Sequence, residues 1–175
     1  MRDLDDFNKL EERAWELEGQ LIEGTYKSEQ ITINKEKLKF TDGDVYEGDV
    51  VNGKPNGKGK YTLTASGDLY EGDFVDGKPN GKGKFTWSEG SFYEGDWANG
   101  KMNGKGKMTL IDGTEYEGDF VDGIENGKGK ITYADGNSYE GDFVNRKCQG
   151  KGKMTYADGT VEEGRFENNK FIGEE

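Results

Sequence analysis

Apolar and polar residues alternate along most of this chain with a period of two. Tyr70, Gly72 and Phe74 fall on one side of an extended segment, with Glu71, Asp73 and Val75 on the other. A few residues later Gly81, Gly83, Phe85 and Trp87 alternate with Lys82, Lys84 and Thr86. Successive side chains of a strand point to opposite faces, so each run predicts a β-strand. Between the runs stand Asn52-Gly53, Asp76-Gly77, Asn99-Gly100 and Asp122-Gly123, pairs that supply the positive φ angles of tight turns. The unit predicted is a hairpin, with strand 70–75, loop Asp76–Asn80, strand 81–87 and a turn at Ser88–Ser91.

The period changes near the start. Leu4, Phe7, Leu10, Ala14, Leu17 and Leu21 follow one another at spacings of three and four, which predicts an amphipathic helix over residues 1–20. Asp3, Asp5 and Asp6 suit the positive end of its dipole. The docking side is Leu4, Phe7, Leu10 and Leu17, with Trp15 at its border. Two destinations stay open for it: covering apolar sheet of its own chain, or binding another chain.

The hairpin recurs. Tyr-Glu-Gly-Asp begins at Tyr46, Tyr70, Tyr93, Tyr116 and Tyr139, and Gly-Lys-Gly-Lys begins at Gly57, Gly81, Gly104, Gly127 and Gly150. This spacing divides the chain into five units, 46–69, 70–92, 93–115, 116–138 and 139–161. A partial unit follows at 162–175, where Glu162 takes the tyrosine position. A degenerate capping hairpin precedes at 21–45, with Ile22–Tyr26 as its first strand and Leu38–Gly43 as its second strand and turn. Arg146 and Asn169 stand where the other units have a loop glycine.

The pattern Tyr-Glu-Gly-Asp-Phe, then Gly-Lys-x-Asn-Gly-Lys-Gly, then an aromatic and Asp-Gly, resembles the MORN repeat (membrane occupation and recognition nexus). The resemblance implies hairpins stacked into an elongated, curved sheet and a non-enzymatic role. The fold expected is an all-β repeat, a twisted single-layer antiparallel sheet of about seven hairpins behind an N-terminal helix.

Two candidate surfaces follow from the alternation. One face collects Tyr46, Tyr70, Phe74, Tyr93, Trp97, Tyr116, Phe120, Tyr139 and Phe143. These rings either pack as the core of stacked hairpins or leave an apolar face for a partner helix or segment. The other face carries a lysine ladder, Lys58, Lys82, Lys105, Lys128 and Lys151, the candidate for phospholipid headgroups. Glu47, Glu71, Glu94, Glu117 and Glu140 share that face, and residues 46–161 hold 15 basic and 19 acidic side chains, a net of −4. The lysines are therefore largely compensated, which disfavours an anionic membrane and argues against nucleic acid.

Composition narrows the chemistry. The 175 residues include 29 glycines, one cysteine and no histidine, with a net charge of −12. A histidine-based triad and Cys/His zinc sites are excluded, and a single cysteine makes no internal disulfide. Hydrophobic content of 30% with this charge resembles disorder, but aromatics at 12% and glycines in register point to a folded repeat. Glu-Gly-Asp recurs in all five units, so it reads as scaffold rather than as a catalytic pair. Cys148 reads as an exposed thiol in a loop. The expectation is a scaffold without metal or cofactor, binding proteins in a cytoplasmic or cytoskeletal assembly and open to self-association. The rivals are a membrane tether and a regulatory module of an enzyme complex.

Overall fold

The period-two segments fold as strands wherever the structure, a computed structural model, describes them; it describes residues 34–174. The expected helix and the first strand of the capping hairpin lie outside these residues. Thirteen strands follow one another: β1 (Asn34–Lys39), β2 (Val45–Val51), β3 (Lys54–Leu63), β4 (Asp68–Val75), β5 (Lys78–Thr86), β6 (Phe92–Ala98), β7 (Lys101–Thr109), β8 (Glu115–Val121), β9 (Ile124–Thr132), β10 (Ser138–Val144), β11 (Lys147–Thr155), β12 (Val161–Glu167) and β13 (Lys170–Gly173). They form one antiparallel sheet in sequence order. The chain divides into two compact units, one ending at Ser88 with Asp96–Lys101 added, the other Glu89–Gly95 with Met102 onward.

The turns correct one expectation. Asp76 and Gly77 both take positive φ, 49° and 85°, and Val75 pairs directly with Lys78. The connection is thus a two-residue turn, not a loop reaching Asn80, because two left-handed residues match the twist of the flanking strands. Arg146 adopts φ 67° in the same place, and Asn169 68°. The departures from glycine there are accommodated by the backbone rather than avoided.

In the first unit, pairing runs Leu38↔Tyr46, Tyr61↔Tyr70 and Tyr70↔Phe85. Its two long edges are laced from hairpin to hairpin. Gly77 and Gly100 donate their N–H to the carbonyls of Pro55 and Pro79, both at 2.9 Å. At the other edge the Asp44 and Asp68 carboxylates accept from the amides of Thr64 and Ser88, both at 2.8 Å.

The second unit repeats this scheme. Gly123, Arg146 and Asn169 donate to the carbonyls of Met102, Glu125 and Cys148. Ile111 N–H donates to Ser91 Oγ at 3.1 Å, and Ala157 N–H to Asn137 Oδ1 at 2.9 Å. Each hairpin therefore fixes the turns of its neighbour, as nearest-neighbour coupling in a repeat protein requires.

Candidate partner-binding face

Each Tyr-Glu-Gly-Asp stretch places three groups. The register slips by one residue at the aspartate, between Gly48 and Val50, Gly72 and Phe74, Gly118 and Phe120, and Gly141 and Phe143. This bulge turns the aspartate carbonyl toward the tyrosine three residues earlier. Tyr46, Tyr70, Tyr116 and Tyr139 donate their hydroxyls to the carbonyls of Asp49, Asp73, Asp119 and Asp142 at 2.7, 3.1, 3.0 and 3.0 Å. Burial raises the hydroxyl pKa of Tyr46, Tyr116 and Tyr139 well above the ordinary tyrosine value.

To reach that carbonyl the ring lies flat across the glycine of the returning strand. A Cβ at Gly129 would fall 2.6 Å from Cζ of Tyr116 and 2.7 Å from its Cε2. The glycine hollow is filled by the ring of its own hairpin. The rings then meet edge to face along each unit. In the first, Tyr46–Phe74, Tyr70–Phe74 and Tyr70–Trp97 have centroids 5.0, 5.0 and 5.1 Å apart. In the second, Tyr93–Phe120, Tyr116–Phe120, Tyr116–Phe143 and Tyr139–Phe143 lie 4.9 to 5.2 Å apart. Such pairs contribute about 0.5–1.5 kcal/mol each beyond the area they bury.

All nine aromatic candidates are buried, at 3% exposure or less. Of the two readings of that stripe, the rings are core; they do not themselves form an open surface. Cys148 is likewise not an exposed loop thiol: it lies in β11, is buried, and hydrogen-bonds Tyr133. Its position alternates with polar neighbours toward the ring-bearing side, opposite Phe143.

The opposite face holds the lysine ladder. Lys58, Lys82, Lys105 and Lys128 pair with Asp73, Asp96, Asp119 and Asp142 at 2.8, 2.6, 2.6 and 2.5 Å. The same carboxylates reach the other way: Asp73 and Asp119 also accept from the amides of Lys82 and Lys128. The hydrogen bonds from Lys58 and Lys105 hold these carboxyls below the usual aspartate range. Lys151 lies opposite Arg165 in the register, at the position where the other units carry the aspartate.

Among the described residues, the ring-bearing face also carries a partly open row that the sequence reading did not single out. Leu110, Tyr133 and Tyr156, each just before a turn, are half-buried, as are Ile131 and Met154 beside them. Phe40 and Trp87 occupy the same repeat position in the first unit and are buried. Each turn beyond the row carries an exposed aspartate, Asp112, Asp135 and Asp158, whose Oδ1 accepts from the amide two residues on. Glu162 adds a carboxylate next to Tyr156, accepting its hydroxyl at 2.7 Å.

A second missed feature is the pair Glu125–Arg146. Glu125 stands in a row otherwise made of Pro55, Pro79, Met102 and Cys148, and Arg146 Nε lies 3.5 Å from its Oε2. Burial raises the Glu125 pKa, and Arg146 opposes that shift. Both departures are visible in the sequence, in successive units and in frame, but the frame alone does not show that they touch.

The family model of the MORN repeat matches residues 46–65, 70–92, 93–115, 116–138 and 139–161, more than half of the chain. The chain belongs to the MORN-repeat family. Five of its hairpins are therefore MORN repeats, and the ring-over-glycine packing is how this MORN sheet builds its core. No curated protein matches the chain. Among solved structures it is similar to the TCP domain of SAS-4 (dCPAP) of Drosophila melanogaster, in complex with a proline-rich motif of Ana2 (dSTIL). That likeness has 13% identity and a TM-score of 0.47, covering 79% of this chain and 81% of the other.

Proposed function

We propose that this protein is a non-enzymatic interaction scaffold, seating a partner helix or segment on the ring-bearing face of its MORN sheet within a larger cytoplasmic or cytoskeletal assembly. The half-open apolar row Leu110, Tyr133 and Tyr156 supports this reading. The nine rings of the stripe are buried, whereas here apolar side chains stay in contact with water, as at protein-binding surfaces. The lysine face gives a lipid tether little support, because Lys58, Lys82, Lys105 and Lys128 each meet a carboxylate.

The test is photo-crosslinking in cells with a benzophenone amino acid in the full chain. Placement at 133 or 156 is expected to give discrete protein adducts, and placement at 130 or 153, on the lysine face, to give none. Adducts confined to the lysine face, or absent at all four positions, refute the proposal.

A further inference from the structure

The geometry points to an amphipathic helix with basic flanks as the partner of the second unit, lying across its strands. This deepens the function proposed above and rests on it. Leu110, Tyr133 and Tyr156 directly follow β7, β9 and β11, and each of these strands is separated from the next by one intervening strand. Neighbouring strands lie about 4.8 Å apart, so the row repeats roughly every 9–10 Å. A helix rises about 1.5 Å per residue, so side chains seven apart repeat roughly every 10.5 Å. An apolar heptad thus matches the row to about 1 Å per step, placing one anchor on each hairpin.

The row is also held still. Ile111 N–H donates to Ser91 Oγ, Ala157 N–H to Asn137 Oδ1, and Tyr133 and Tyr156 donate backbone N–H to Asn137 and Thr160 carbonyls within their own turns. A partner therefore meets a preset pitch rather than loops it must order.

Charge selects among helices. Alongside the row run Asp112, Asp135 and Asp158, all exposed, and Glu162 beside Tyr156. The hydrogen bonds made by Asp112 and Asp158 within their turns favour the ionised carboxylate. A helix with Lys or Arg on that flank gains one ion pair per turn of the row. The chain's own residues 1–20, with seven acidic and three basic side chains, are the wrong sign for this edge. A second copy, at −12, is repelled as well. The acidic edge thus disfavours the two nearest alternatives and leaves a basic helix.

The probe is a fluorescein-labelled 21-residue peptide with Leu at the first and fourth positions of each heptad and Lys flanking one side, titrated into the full chain. A second peptide carries Glu for Lys, and a third has the same composition with Leu at every second position. Anisotropy is expected to show the Lys heptad peptide binding at least tenfold more tightly than either. Three exposed ion pairs amount to about tenfold in affinity, so the triple variant Asp112→Asn, Asp135→Asn, Asp158→Asn is expected to lose that much. The control Asp76→Asn, Asp122→Asn, at the other turns, is expected to lose none. Asn keeps the turn acceptor; if the triple variant nonetheless loses strand signal by circular dichroism, each single variant is expected to weaken binding about twofold. Equal binding of the Lys and Glu peptides, or a triple variant as tight as the parent, overturns the inference. Binding of the Glu peptide unmasked by deleting residues 1–20 also overturns it, as does a chain dimer that the Lys peptide dissolves. Adducts at 133 or 156 without this charge preference would sink the inference and leave the scaffold reading standing.

Discussion

Replacing Gly129 by alanine tests the packing on which the whole face depends. Gly129 is not in a left-handed conformation, so its backbone suits alanine, and on conformational grounds alone the change stabilises by about 0.4–1 kcal/mol. The structure gives the opposite sign. The new Cβ would sit 2.6 Å from Cζ of Tyr116, far inside van der Waals contact. Behind the ring, Phe120 and Phe143 meet it edge to face at 5.1 Å, so it has little room to retreat. Overpacking of this kind costs about 1–3 kcal/mol. Displacing the ring also breaks the 3.0 Å bond from its hydroxyl to the Asp119 carbonyl, at about 1 kcal/mol. The net expectation is a loss of about 2–3 kcal/mol, read from urea unfolding followed by far-UV circular dichroism. In a Tyr116→Ala background the obstacle is gone, so Gly129→Ala is expected to become neutral or mildly stabilising. The cycle should therefore show a coupling of at least 2 kcal/mol. A Gly129→Ala protein within 0.5 kcal/mol of the parent, or two substitutions that simply add, would refute ring-over-glycine packing.

Three further outcomes are expected. Asp119 has a depressed folded-state pKa, chiefly through its hydrogen bond from Lys105, so its contribution is present above the unfolded pKa, about 3.9, and is lost as pH falls through the lower folded value; the acid limb of a stability–pH profile should flatten in Asp119→Asn. Glu125 behaves oppositely, since burial raises its pKa and stability from this group fades as pH rises through the folded value. Glu125→Met alone should destabilise by about 1–3 kcal/mol by removing the carboxylate beside Arg146, whereas Glu125→Met with Arg146→Gly, the residues of the third repeat, should be neutral or stabilising by urea midpoint. Cys148, its thiol pushed up to about 11 by burial, should react with a thiol reagent at pH 8 far more slowly in the native chain than in urea; rapid native labelling would place it at the surface.

Much of this protein was legible in its sequence. Period-two alternation assigned strands and faces because a strand sends neighbouring side chains to opposite sides, whatever lies around it. The spacing of Tyr-Glu-Gly-Asp set the hairpins, and Asn-Gly and Asp-Gly marked their turns. The charge balance of Lys105 and Asp119 was readable too, since partners on adjacent strands of one face must meet. Tertiary structure alone decided how much of the ring face is exposed. Whether Tyr116 is open or sealed depends on Gly129 opposite it and on Phe120 and Phe143 beside it, and their burial is a sum over neighbours from three strands. The same holds for Cys148, whose loop-like surroundings became strand once Asn145 and Arg146 closed a two-residue turn. It holds for Glu125 and Arg146, two departures from the repeat that become a pair only when adjacent hairpins stack. Local alternation fixes which side a residue faces; only packing against the next hairpin determines whether anything is left for a partner to touch.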